Sequence, residues 1–324
     1  MGYCFGIDIG GTTVKIGLAA EDGALLEGWE IPTRREPTPE GLLLDIRVSI
    51  LDRLDRGLDG EKKQKIRRAD ILGIGMAAPG AVTADGILHG AVNIGWGDVA
   101  LAEEAERILG ISPVCVGNDA RLAALGEAAY GAGVGARSML MVTLGTGVGG
   151  GVVLDGKMLT GYTGAASELG HMVIRAGGEE CTCGRRGCFE AYASATALIR
   201  ETKRAMAAHP ESRMHAAAEE NGAVDGRTAF IAAQRGDAAA QAVVDRYLDD
   251  LACGVANIVN IFFPEVIALS GGVANQGDAL LVPLRERVRA LSYGSRYAVR
   301  HTRIELCTLG YRAGVIGAAL LGRA

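Results

Sequence analysis

The chain has 324 residues, 49% hydrophobic and 22% charged, with a net charge of −5. That length predicts two domains with ample core, and the acidic balance leaves no basic footprint for nucleic acid. No apolar run reaches a membrane span, and Met1 to Asp8 reads as a strand start rather than an export signal, which points to the cytoplasm.

Phe5-Gly6-Ile7-Asp8-Ile9 alternates like a strand, Gly10-Gly11-Thr12-Thr13 turns, Val14 to Ala19 runs back, and Asp22-Gly23 turns again. A third strand, about Leu25 to Ile31, ends at Pro32. Pro39 to Leu58 carries Leu42, Ile46, Ile50 and Leu54 at helical spacing. Ile71 to Met76 is a short apolar strand that leads into a turn at Ala77-Ala78-Pro79-Gly80, and the carboxyl end of such a strand is where α/β sheets bind ligands. A polar, glycine-interrupted segment from Gly90 to Trp96 holds Asn93. Leu101 to Leu109 reads as a helix and Pro113 to Val116 as a strand. Asn118-Asp119 follows directly, before a helix from Arg121 to Ala129. At that junction an acid either faces a ligand or caps the helix, since Asn and Asp both cap well.

Gly131-Ala-Gly133-Val-Gly135 reads as a hinge or boundary, and the opening pattern then returns. Met139 to Leu144 leads into Gly145-Thr146-Gly147, Val148 to Leu154 and Asp155-Gly156. Two such hairpins suggest a duplicated domain with a ligand between the copies. A turn without Cβ atoms brings backbone N–H groups within reach of a phosphate. Thr12, Thr13 and Thr146 add hydroxyls and Lys15 a positive charge. Asp8, where the strand enters the turn, suits a divalent cation between itself and the phosphate. Each hairpin alone also reads as a plain tight turn.

Beyond lie an alanine-rich, mostly helical stretch from Ala193 to Tyr247 and a buried helix from Leu248 to Phe263. A strand from Val266 to Leu269 then meets a third glycine turn, Ser270-Gly271-Gly272. Ile304 to Thr308 is a last strand and Ala313 to Leu321 a small-residue helix suited to packing back on the first domain.

Between hairpin and helices, His171, Cys181, Cys183 and Cys188 make His-x9-Cys-x-Cys-x4-Cys. One imidazole and three thiolates form a closed tetrahedral set for structural zinc, with no open position for water activation. In a reducing compartment a disulfide is the weaker reading. Glu168 and Glu190 flank the cassette, and zinc would draw both toward one place, where carboxylates accept from a polyhydroxylated ligand.

Asp8-Ile9-Gly10-Gly11-Thr12, Asn118-Asp119, Leu144-Gly145-Thr146-Gly147, Glu168-Leu169-Gly170-His171 and the run Cys181 to Glu190 together resemble the ROK family (repressors, open reading frames and kinases). The match is ordered and covers essentially the whole chain; within the family it is most similar to bacterial glucokinases. The resemblance implies the two-domain, actin-like ATPase fold (ribonuclease-H-like α/β) with ATP and sugar in an interdomain cleft. It implies a smaller domain over 1–118, completed by a helix at about 310–324, and a larger one over 119–309 with the zinc loop. It makes Asp119 the catalytic base. Asn118, Glu168, His171 and Glu190 would hold sugar hydroxyls, helped by Asn93 and Gly80. The turns at Gly10 and Gly145, with Gly271 and Gly272, would hold ATP with Mg²⁺. The expected activity is ATP-dependent phosphorylation of D-glucose at O6, with mannose, N-acetylmannosamine or N-acetylglucosamine as the alternative acceptor. A homodimer or homotetramer is implied. A sugar-responsive repressor is disfavoured because the chain opens on the first hairpin, leaving no room for a helix-turn-helix. An actin-fold ATPase that needs no sugar is disfavoured by the cassette.

Overall fold

A computed structural model describes residues 2–57, 66–91, 94–294, 297 and 299–323. The opening hairpin is β1 (Tyr3–Ile9) and β2 (Thr13–Ala20), followed by β3 (Leu25–Pro32) and helix α1 (Glu40–Arg56). Then come β4 (Ile71–Ala78), a small ladder of β5 (Ala81–Val82) and β6 (Leu88–His89), α2 (Leu101–Leu109), β7 (Val114–Asn118) and α3 (Asp119–Tyr130). Strands order as β3-β2-β1-β4-β7, the first two pairs antiparallel and the last two parallel.

The two faces of this sheet differ in chemistry. Phe5, Ile7, Ile16, Ile74 and Met76 join Leu42, Ile46 and Ile50 of α1 in one large core. The other face carries Gly6, Gly73, Gly75 and Ala77, with Cys4 packed against Ala19 and Ala319. A Cβ on Gly6 would stand 2.0 Å from the Val315 carbonyl, and one on Gly75 would stand 1.7 Å from that of Ala318. Only glycine permits that approach, so the last helix, α10 (Arg312–Gly322), lies directly on the backbone of β1 and β4.

The second half repeats the order. Strands β8 (Ser138–Leu144), β9 (Val148–Leu154) and β10 (Lys157–Met158) precede short α4 (Glu190–Ala193) and helices α5 (Ala195–Ala208), α6 (Met214–Asn221), α7 (Thr228–Gln234) and α8 (Ala238–Phe262). Next follow β11 (Val266–Ser270), α9 (Asp278–Leu291), β12 (Arg303–Leu306) and α10 (Arg312–Gly322). The second sheet runs β10-β9-β8-β11-β12, the same topology as the first. Helix α8 begins ten residues earlier than its apolar run suggests, because Asp237 caps it by accepting the Ala240 N–H at 2.8 Å.

The chain divides into two compact units, Met1–Gly135 with Gly151–Ser167 and Thr308–Ala324, and Ala136–Gly150 with Glu168–Cys307. In the first unit a fully buried carboxylate, Glu127, accepts backbone N–H groups of Ala132, Thr308 and Leu309 at 2.9, 3.1 and 2.7 Å. It fixes the segments that leave and re-enter that unit. Among the described residues no helix is long and apolar enough to cross a membrane.

Candidate functional site

In the first unit the predicted residues converge on the carboxyl ends of β1, β4 and β7. Gly10 donates to the Thr13 carbonyl at 3.1 Å and closes the turn. Thr33 donates its hydroxyl to the Gly10 carbonyl at 2.7 Å, and the Arg35 guanidinium donates to the Gly11 carbonyl at 2.8 and 3.0 Å. Two of the turn's carbonyls are thereby occupied from behind, while Thr12 stays exposed. Neither Thr33 nor Arg35 is marked by the sequence, since each reaches back more than twenty residues to the turn.

Asp8 pairs across the hairpin with Lys15 and, on its other side, with Ala77 of β4. Burial pushes its carboxyl up to about 6; Lys15 opposes that rise and the charge of Asp119 adds to it. Two acids within electrostatic reach of one another, with a single lysine beside them, are a donor set that a hard divalent cation fits.

Asn118 and Asp119 divide the two roles that the sequence left open. Asn118 is the cap: its Oδ1 accepts the Arg121 N–H at 3.1 Å, while its Nδ2 donates to the Gly80 carbonyl at 3.1 Å. Asp119 is held by one oxygen only, Oδ1, which accepts from Ala120 N–H at 2.7 Å and Asn118 Nδ2 at 3.0 Å. Its other oxygen makes no hydrogen bond among the described residues. Burial raises the carboxyl, and the bonds from Ala120 and Asn118 pull against that rise. Gly80 thus joins the pair, and Asn93 lies outside the described residues.

In the second unit Gly145 donates to the Gly147 carbonyl at 3.0 Å. Here too the carbonyls are taken from behind: Ala195 N–H donates to Gly145 at 2.8 Å and Thr196 Oγ to Thr146 at 2.7 Å. Gly271 has φ 89°, and a Cβ there would strike the Leu144 carbonyl at 2.4 Å, so the third glycine turn lies against the strand that feeds the second.

The cassette folds into a metal cage. The donor atoms of His171, Cys181, Cys183 and Cys188 all lie within 4.8 Å of one another. The Cys183 and Cys188 sulfurs are 3.8 Å apart, and Cys181 Sγ is 3.7 Å from His171 Nδ1. Zinc–sulfur bonds of about 2.3 Å at a tetrahedral angle place two sulfurs about 3.8 Å apart, so the residues fit zinc. Phe189, next to the last cysteine, is fully buried against Gly254 of α8 and anchors the loop.

Glu190 Oε1 accepts Thr182 Oγ at 2.8 Å, and its Oε2 accepts the Val148 N–H at 3.0 Å, just past the second turn. Glu168 opens the single 3₁₀ turn that ends on His171, its carbonyl accepting the His171 N–H at 3.1 Å. The Glu168 side chain is exposed.

The sequence profile of the ROK family matches residues 4–324. A glucokinase of Halalkalibacterium halodurans is 42% identical over 318 residues, covering 98% of this chain and 93% of its own. The solved structure of a ROK family glucokinase from Streptomyces griseus in complex with glucose and AMPPNP aligns at TM-score 0.76 and 32% identity, over 99% of both chains. The ROK hexokinase from Thermus thermophilus aligns at TM-score 0.79 and 32% identity, over 99% of this chain and 97% of that one.

Proposed function

Because the chain belongs to the ROK family and has the two-domain actin-like ATPase fold of its sugar kinases, we propose that it is an ATP-dependent hexokinase acting on D-glucose at O6. The observation that carries the chemistry is the Asp119 carboxylate, with Oδ1 tied to Ala120 and Asn118 and the other oxygen left to accept a proton. A carboxylate whose proton affinity burial has raised is a better general base than a solvated one.

Each residue then has a role. Asp119 takes the O6 proton as O6 forms its bond to the γ-phosphorus. The bond from that phosphorus to the β,γ-bridging oxygen breaks, and ADP leaves with the electron pair. The turn of Gly10, Gly11, Thr12 and Thr13, with Lys15, and the turn of Gly145, Thr146 and Gly147, with Gly271 and Gly272, hold the nucleotide through threonine hydroxyls and the N–H groups that do not close the turns. Asp8 is the residue that would hold Mg²⁺, which when bound supplies charge neutralisation on the phosphates. Asn118 and the Gly80 loop orient the base, with Asn93 as a helper. Glu168 and Glu190 accept hydrogen bonds from ring hydroxyls. Ligation through Nδ1 leaves His171 with Nε2–H as a donor, so the cassette offers a sugar both acceptors and a donor. Zinc, with four protein ligands, would shape the loop only.

The reducing cytoplasm that such thiolates need is the proposed location, and a homodimer or homotetramer the proposed assembly. The test is ADP release measured across glucose, mannose, N-acetylglucosamine and N-acetylmannosamine. Glucose should give the highest kcat/KM. A tenfold preference for either acetylated sugar moves the assignment to an N-acetylhexosamine kinase. ATP hydrolysis as fast without sugar as with it removes the hexokinase reading altogether.

A further inference from the structure

The inference here rests on Glu190 being a sugar ligand. Its carboxylate is held by donors of the protein itself. Oε2 accepts the N–H of Val148, the residue that follows Gly145-Thr146-Gly147, and Oε1 accepts the hydroxyl of Thr182 inside the metal loop. Gly147 permits this, since a Cβ there would stand 2.3 Å from Glu190 Oε2. The other flank of the cassette reaches the same residue: a Cβ on Gly170 would stand 2.0 Å from the Val148 carbonyl. Both peptide groups of Val148 therefore touch the segment that carries the candidate sugar ligands. The residue next to the nucleotide turn is gripped by the sugar-reading element.

A carboxylate in that position is an internal anion. It occupies one backbone donor beside the turn and places negative charge where nucleotide phosphate approaches. Sugar hydroxyls donate to carboxylates, so a bound hexose shares with Val148 and Thr182 the charge of the same two oxygens. We propose that Glu190 is a positioning residue coupling the two substrates. Without sugar it holds the turn against phosphate; with sugar its charge is drawn into the hydroxyls and the turn is released. Hexose then tightens nucleotide binding, and by reciprocity nucleotide tightens hexose binding. The same device keeps ATP hydrolysis by water slow until an acceptor is present.

The experiment is a calorimetric titration of the zinc-loaded protein with Mg²⁺ and AMPPNP, with and without saturating glucose. For the natural chain, glucose should lower the Kd for AMPPNP by about tenfold, within the usual span of coupling between two sites. In Glu190→Gln, AMPPNP should bind more tightly than to the natural chain without sugar, and glucose should change its Kd by less than about twofold. A residue with only a structural role would weaken nucleotide binding when replaced, so the direction of the change discriminates. Thr182→Val keeps the carboxylate and every metal ligand, and should reduce the glucose effect by about threefold; it carries the test if Glu190→Gln does not fold. Glucose that is bound and phosphorylated without altering the AMPPNP Kd overturns the coupling and leaves the sugar reading intact. An unchanged sugar-free Kd in folded Glu190→Gln does the same. If the natural chain neither binds nor phosphorylates glucose, the sugar reading fails and the coupling with it.

Discussion

The two glycine turns share a scaffold and treat negative charge in opposite ways. In both, a strand ends in a glycine turn closed by its own backbone, and later residues occupy its carbonyls from behind: Thr33 and Arg35 at the first, Ala195 and Thr196 at the second. The first turn has its acid built into the strand, Asp8, two residues before Gly10, with Lys15 opposite. At the matching place before Gly145 the second strand has Thr143, and its return reads Gly149-Gly150-Gly151 with no lysine. Its acid, Glu190, arrives on the metal loop and is hydrogen-bonded on both oxygens. Gly150 of the second return has its own cause: a Cβ there would stand 2.7 Å from both the Met141 carbonyl and the Leu169 side chain of the cassette. On the proposed function, the two hairpins share a backbone course and divide the chemistry, cation and base with the first, sugar recognition with the second.

The sharpest way to break that division is to remove the base. Asp119→Asn keeps the shape and both hydrogen-bonding positions near Ala120 and Asn118 but gives up the proton acceptor. We expect kcat to fall by a factor on the order of 10² to 10⁴, with both KM values within about threefold. Near-normal turnover would mean that Asp119 serves the helix start and that another group takes the proton.

Next in size is removal of the metal. Cys183→Ser, or chelation, should release the loop and with it His171, Thr182 and Glu190. If recognition of sugar belongs to the second turn, KM for glucose should rise by about 10- to 100-fold, the range seen when a metal site is disturbed, while KM for ATP moves several-fold at most. Metal analysis of the natural protein should give about one zinc per chain. Active protein without zinc removes the cage as the organiser of the sugar site.

Much of this arrangement was legible because it is local. Alternation and a glycine turn specify a hairpin within a dozen residues, and ligand spacing specifies the cage within eighteen. Asn118-Asp119 was legible as a strand-to-helix junction, though not which of the two would cap. What was not legible depends on residues far apart in sequence. Arg35 reaching Gly11, Thr196 reaching Thr146 and Glu190 reaching Val148 span 24, 50 and 42 residues. Glu127 stands among alanines and glycines in a helix and gives no sign that its carboxylate is buried and fully used. The start of α8 was obscured because alanines at 238–240 extend a helix without adding an apolar stripe, and Asp237 reads equally as a surface charge.

The smallest effect expected is also the one that separates the two acids by sign. Asp8 is half-buried, makes no side-chain hydrogen bond among the described residues, and has its carboxyl raised to about 6 from 3.8. A carboxyl with a folded-state pKa above its unfolded value makes the folded state bind the proton more tightly, so its ionised form costs stability. That cost is fully present above about pH 6 and is lost as pH falls toward 3.8, below which both states are protonated. A difference of about two pKa units amounts to roughly 3 kcal/mol. Asp8→Asn should therefore raise the melting temperature of the ligand-free protein by a few degrees at pH 7 to 8, while abolishing most turnover. The gain should vanish near pH 4, and Mg²⁺ with AMPPNP should stabilise the natural protein far more than the variant. Glu190→Gln should do the reverse at pH 7, costing about 1 to 3 kcal/mol, because a satisfied acceptor pair is broken. Melting curves of both variants from pH 4 to 8 decide the matter. If both lose stability, Asp8 is as well supported as Glu190 and the two turns treat their acids alike.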